Sequence, residues 1–261
     1  MSTPLVLAHR DFGTPGRPPL VILHGLLGSS RNWQVAGRDL SHRHHVWALD
    51  LRNHGASPHS DEMDYEPMVA DVLAWLDARG LQRVDLLGHS MGGKVAMLLA
   101  CRHPGRVGRL VVVDIAPKDY FSMGHRAEFA AMHELRLDGL RSRAEAELHM
   151  EGRVPDWSMR KFLLSNLESD EQGGWRWRIN LPALTAALPL LERNPLGDSD
   201  VFRSPALFIV GGRSRYVNAG DYGAIERHFP GASVEVIAEA GHNPHMDARE
   251  AFVALVAGPP A

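Results

Sequence analysis

Gly88, His89, Ser90, Met91 and Gly92 follow the apolar run Val84 to Leu87 and precede a stretch with helical spacing. In a Gly-x-Ser-x-Gly arrangement the small residues let the chain turn sharply from strand into helix, which exposes the serine oxygen at the helix start. A helix N-terminus at that point favours developing negative charge. The string alone is weak, because glycine and serine are common in ordinary turns. Its setting gives it weight: Arg83 to Leu87 reads as a short buried strand, and Gly93 to Arg102 carries Val95, Leu98, Leu99 and Arg102 at helical spacing.

Serine is a poor nucleophile near neutral pH and needs a base within hydrogen-bond reach, itself oriented by a third group. On a strand-turn-helix site of this kind the chain order is serine, acid, histidine. His242 fits the base: it follows the strand pattern Val234 to Ile237, and Gly241 lets its loop turn back. His245, three residues on, is the rival. The acid is less determined. The loop after the strand Ala206 to Val210 reads Gly211, Gly212, Arg213, Ser214, so a serine stands where an aspartate is commonly found. A serine can hydrogen-bond an imidazole but cannot balance imidazolium with a full charge. Asp114, which ends the strand Leu110 to Val113, can deliver a carboxylate from the neighbouring strand; Asp221, and Ser214 with water, remain as alternatives.

Acyl transfer also needs backbone donors aimed at the oxyanion. After Leu20 to Leu23 the chain reads His24, Gly25, Leu26, Leu27, Gly28. Leu26 is expected to offer one N–H and Met91 the other. Leu27 and His24 are expected at the substrate pocket, His24 chiefly as a hydrogen-bonding support of the loop. The charged turn Asp50 to Pro58 reads as structural, with Asp50 and Arg52 bracing neighbouring loops.

These groups must be carried by a sheet. Apolar runs at Leu20 to Leu23, His45 to Leu49, Val84 to Leu87, Leu110 to Val113, Ala206 to Val210 and Val234 to Ile237 alternate with helical stretches. That alternation implies a mostly parallel sheet covered on both faces, an α/β fold. From about Asp119 to Asp200 it stops. Only helical patterns appear there, at His125 to Leu135, Ser142 to Met150, Ser158 to Leu167 and Leu181 to Leu191. The expected organisation is a core of residues 1–118 and 201–261 with a helical cap at 119–200. Trp157, Trp175 and Trp177 within the cap read as packing residues more readily than as pocket walls.

The 261 residues are 44% hydrophobic, enough for one large domain with an insertion. A net charge of −3 without a basic tract gives no reason to expect nucleic acid or an anionic membrane. The single Cys101 lies in the helix after the serine and reads as core. The fifteen histidines are scattered, without metal-ligand spacing, so neither metal nor cofactor is expected. Pro4, His9, Arg10 and Asp11 break up Met1 to Gly13 too early for a secretion signal, and no run reaches membrane-spanning length. The expectation is a soluble cytoplasmic protein acting on a small-molecule ester. Oligomeric state is left open.

Taken together, the loop at His24, the turn at Asp50, the Gly-His-Ser-Met-Gly-Gly string and the Gly-His pair at His242 resemble the α/β-hydrolase superfamily across nearly the whole chain. Leu49 to Gly55, Val112 to Pro117, Gly211 to Val217 and Trp177 to Leu181 are similar to the YbfF-type branch of small bacterial serine esterases. That resemblance implies an α/β-hydrolase fold with its cap inserted after the sixth strand, and cofactor-free hydrolysis of carboxylic esters of small to medium acyl groups, with acyl thioesters such as acyl-CoA in scope. It also accounts for Ser214, which agrees with this branch, and so supports Asp114. The expected chemistry is attack by Ser90, proton transfer through His242, orientation by Asp114 and an acyl-serine intermediate. Activity should then fall on acidification, since the base must be neutral imidazole. Two rivals remain: another reaction on the same triad (C–C bond hydrolysis or cofactor-free perhydrolysis), and a slow-turnover small-molecule receptor of the same fold.

Overall fold

Leu20 and Ile22 face one side of their strand, Val21 and Leu23 the other, and all four are buried. The same division recurs in Leu110 and Val112 against Val111 and Val113. A strand covered on both faces has no polar side, which is why these segments read as continuous apolar runs. The computed structural model describes residues 3–13, 15–121, 125–169 and 173–258. In chain order the first five strands are β1 (His9–Asp11), β2 (Pro19–Leu23), β3 (His45–Leu49), β4 (Val84–His89) and β5 (Val107–Val113). Two short strands, β6 (Leu167–Ser169) and β7 (Trp175–Trp177), follow, and β8 (Ala206–Gly211) and β9 (Ser233–Ile237) complete the set. Seven of them form one sheet in the order β1-β3-β2-β4-β5-β8-β9, with only β1 antiparallel to its neighbour.

The helices are α1 (Gln34–Leu40), α2 (Tyr65–Ala78), α3 (Met91–Arg102), α4 (Arg126–Glu134), α5 (Arg143–Met150), α6 (Trp157–Leu164), α7 (Leu181–Leu191), α8 (Tyr222–His228), α9 (Pro244–Asp247) and α10 (Arg249–Ala257). One apolar layer joins the sheet to α2, α3 and α8 through Met68, Val72, Val95 and Ile225. The other joins it to α1 and α10 through Ala36, Leu40, Phe252 and Val256. Among the described residues no helix is long and apolar enough to cross a membrane.

Helices α4 to α7 and the β6-β7 ladder lie between β5 and β8. All four expected helical patterns of this insertion are helices, although α6 begins at Trp157 because the Asp156 carboxylate caps it through Met159 N–H at 2.7 Å. Residues 122–124 and 170–172 of the expected cap lie outside the described residues. Two expectations need correction. The insertion follows β5, the fifth strand, not a sixth, because Pro15, Gly16, Pro18 and Pro19 leave room for only β1 ahead of β2. It is also not purely helical. The antiparallel β6-β7 pair sets Glu168 opposite Arg176 in an ion pair, and puts Trp175 and Trp177 together on the face that packs on the core. Three-residue strands are too short to show alternation in a sequence.

The charged turn after β3 is fastened from inside. Asp50 accepts the N–H groups of Ser30 (2.6 Å) and Ala56 (2.8 Å). Gly55 sits at φ 57° against that carboxylate, where a Cβ would fall 2.2 Å from it. Arg52, fully buried, makes a bidentate pair with buried Asp71 of α2 at 2.7 and 2.9 Å and donates to Glu62 O at 2.7 Å. Asp71 also accepts the Leu5 N–H. Asp71→Ala would leave a buried guanidinium unpaired, so stability is expected to drop by about 3–5 kcal/mol in denaturant unfolding. Replacing both partners with Leu should recover most of that; a loss below about 1 kcal/mol for the single variant would refute the role given to the pair.

Candidate active site

Ser90 sits between β4 and α3 at φ 51° and ψ −120°. A residue with a Cβ adopts that conformation only under local constraint. Its N–H donates to Val113 O of β5 at 3.0 Å, and its carbonyl accepts the N–H groups of Gly93 and Lys94, which starts α3. Gly88 and Gly92 allow the close approach: a Cβ on Gly88 would lie 2.2 Å from Gly92 O, and one on Gly92 would lie 2.4 Å from Leu23 O.

Asp114 leaves the end of β5 at φ 50° and is buried. Its Oδ1 accepts Gly211 N–H at 2.9 Å; its Oδ2 accepts the Ser214 hydroxyl and the Nδ1–H of His242, the latter at 2.7 Å. Ser214 therefore binds the carboxylate instead of standing in for it. With Nδ1 donating to Asp114, Nε2 of His242 is left for the cleft that the ring shares with Ser90. Tyr216 stacks on the imidazole at 3.7 Å between ring centres, and the His242 carbonyl accepts from His89 Nε2 at 2.7 Å. Neither alternative acid nor the rival base occupies this arrangement. Asp221 pairs with Lys118 Nζ at 2.7 Å and caps its own turn through Asn218 N–H. His245 stacks on Trp33 at 4.1 Å, and burial pulls its pKa down to about 3.

The loop from His24 to Gly28 is held by two buried neutral histidines. His24 Nδ1–H donates to Gly25 O and its Nε2 accepts Leu51 N–H at 3.0 Å. His54 Nδ1–H donates to Arg52 O and its Nε2 accepts Leu27 N–H at 3.1 Å. Burial lowers the pKa of His24, and lowers that of His54 to about 3, so both remain acceptors. Leu27, buried at φ 60°, is thereby fixed. Among the described residues no acceptor takes up the N–H of Leu26 or of Met91.

Two cavities meet at Ser90. A cleft of about 600 Å³ is bordered by His24, Leu26, Leu27, Ser90, His242 and residues of the insertion such as Met159 and Phe162. A second, of about 50 Å³, is bordered by Met91, Ile115, Leu188 and Leu191. His125 lines both, with Nε2 3.4 Å from the Tyr216 hydroxyl. Trp157, Trp175 and Trp177 line neither; Trp157 is exposed. Cys101 is half-buried, its thiol pushed up to about 12 by burial.

Sequence spacing did not mark four contributors. Lys94, buried in α3, donates to the carbonyls of Leu191 (3.2 Å), Glu192 (3.1 Å) and Arg193 (2.6 Å) at the C-terminus of α7. Burial pulls its pKa down to about 7. Asn166 donates to Leu27 O at 2.8 Å, and Asn180 donates to Asn53 through its backbone and side-chain amides, both at 3.1 Å. His125 is the fourth. A signal existed only for Lys94, as a charge on the otherwise apolar face of a helix.

Residues 18–249 match the family model described as alpha/beta hydrolase fold. The sn-1-specific diacylglycerol lipase ABHD11 of Xenopus tropicalis is 41% identical over 250 residues, 93% of this chain and 77% of that protein. Esterase YbfF of Escherichia coli K12 is 36% identical over 241 residues, 91% of each chain. The solved structure of a marine microorganism esterase superposes with a TM-score of 0.93 at 35% identity, over 97% of this chain and 98% of that one.

The arrangement carries a test that needs no substrate. A fluorophosphonate should label Ser90, and Asp114→Asn should slow labelling by about 10⁴-fold because His242 loses the orienting acceptor. Ser214→Ala, which removes one hydrogen bond to the carboxylate, should cost about tenfold. Equal effects of the two would contradict the ranking of Asp114 over Ser214.

Proposed function

The chain belongs to the alpha/beta-hydrolase family, and on that premise we propose that it is a serine carboxylesterase working through an acyl-Ser90 intermediate. Ester hydrolysis accords with its esterase and diacylglycerol lipase relatives. The observation that carries the reading is the 2.7 Å contact of His242 Nδ1 with buried Asp114 Oδ2, with His242 itself bordering the cleft that holds Ser90.

His242 Nε2 takes the Ser90 proton as Oγ attacks the ester carbonyl carbon. The oxyanion that forms accepts the Leu26 and Met91 N–H groups, whose hydrogen bonds strengthen as charge builds. Asp114 balances the imidazolium through Nδ1. Collapse of the tetrahedral species breaks the bond to the leaving oxygen, which receives the proton from His242. A water then gives its proton to His242, its oxygen attacks the acyl carbon, and the carboxylic acid leaves as Ser90 recovers its proton. Residues 119–200 serve as the cap, the support being that Met159, Phe162, Leu188 and Leu191 wall the two cavities at Ser90. Thioesters of the same acyl groups fit this chemistry, since a thiolate leaves the same intermediate.

Turnover of p-nitrophenyl butyrate tests the mechanism. Ser90→Ala and His242→Ala should each lower kcat by at least about 10⁴-fold with the fold intact by circular dichroism. A Ser90→Ala protein that kept the parental rate would remove the proposal.

A further inference from the structure

The two cavities differ in what they place beside Ser90. His242 borders the cleft of about 600 Å³, whereas the small cavity of about 50 Å³ is bordered by Leu26 and Met91 but not by His242. In acyl transfer the base must reach the leaving atom to protonate it, and later must reach the attacking water. Both events belong on the His242 side. The acyl chain is then directed away from that side, into the small cavity.

We propose that the small cavity is the acyl site, so that the protein selects esters of short uncharged acyl groups, about two to four carbons, joined to a large alcohol or thiol that lies in the cleft. This rests on Ser90 and His242 acting as nucleophile and base. The size follows from volume: a cavity of about 50 Å³ compares with roughly 10–15 Å³ per water-sized site. That leaves room for a few carbons beyond the carbonyl. Leu188 and Leu191 of α7 wall one side and Ile115 another, all buried, so lengthening the chain means displacing packed side chains.

The polar groups at this cavity are already committed. The Tyr65 hydroxyl donates to Leu191 O, the Tyr120 hydroxyl donates to Tyr216 O and accepts Ala116 N–H, and the Lys94 ammonium spends its three donors on the carbonyls after α7. His125 Nε2 and the Tyr216 hydroxyl, which also border it, face each other at 3.4 Å, and burial lowers the His125 pKa, so a carboxylate at the end of the acyl chain would find no free cation there. The cleft is different in kind. Its border includes Glu128, Arg153, Asp156 and Asn243 beside Met159 and Phe162, a mixed surface suited to a large amphipathic leaving group.

The test is a kcat/KM profile over p-nitrophenyl esters from acetate to dodecanoate, with the hemisuccinate included. The parent protein should peak between two and four carbons, fall by about 100-fold at eight, and discriminate against the hemisuccinate by a similar factor relative to butyrate. Leu188→Ala should move the peak to longer chains, and Leu188→Phe should raise the acetate-to-butyrate ratio by about tenfold. Phe162→Ala, on the cleft wall, should leave the peak in place. A parental peak at eight carbons or beyond overturns the acyl assignment, as does a lengthened peak in Phe162→Ala but not in Leu188→Ala. Comparable hydrolysis of the hemisuccinate overturns the restriction to uncharged groups. Absence of turnover on every ester, by contrast, would strike the esterase reading itself.

Discussion

At Ser90 the backbone is held in a region of φ and ψ that costs of the order of 1–3 kcal/mol for a residue with a Cβ, and the surroundings must supply that energy. They do so by contact. The Ser90 N–H is pinned to β5, its carbonyl begins α3, and Gly88 and Gly92 let two strand ends and a helix start lie within van der Waals distance. Among the described residues other than glycine, four have positive φ: Leu27, Asn53, Ser90 and Asp114. All four lie in or directly support the cleft region. Strain is concentrated where several chain segments must present small groups to one point, and the buried sheet beneath is rigid enough to bear it.

Each strained residue is overdetermined by polar partners. Asp114 is held through its N–H to Ile209 O and through three donors to its carboxylate. Leu27 is gripped at both ends, by His54 at its N–H and by Asn166 at its carbonyl. Asn53 receives Asn180. Two of the four are thus clamped by the insertion, and a third contact, Lys94 to the end of α7, ties it to the helix that begins at Ser90. The insertion and the serine turn are one mechanical unit. Because burial lowers the pKa of both His24 and His54, the loop they hold keeps its shape at a pH where exposed histidines begin to charge.

Much of this was legible from residue order. Strands buried on both faces have to be apolar throughout, so five of the seven sheet strands were visible as runs; the edge strand β9, largely exposed, still showed through Val234, Val236 and Ile237, whereas β1, three residues long and largely exposed, did not. Glycine spacing marked the turn at Ser90 because close backbone approach excludes a Cβ, a demand local enough to read directly. The Ser214 anomaly drew attention to Asp114, and the two prove to be hydrogen-bonded to one another. What escaped were His125, Asn166, Asn180 and Lys94, whose meaning lies in partners far along the chain, and the β6-β7 pair, whose strands are too short to show alternation.

The sequence by itself determined the periodicities, the turns and the residue types able to do acyl chemistry, because each of these is a property of a short segment. Only the tertiary structure decided which carboxylate meets His242, which histidine is shut away against Trp33, and how two cavities of unequal size divide the space at Ser90. Those outcomes depend on distances between groups 97 to 212 residues apart, set by the packing of sheet, helices and insertion together, and no local pattern encodes them.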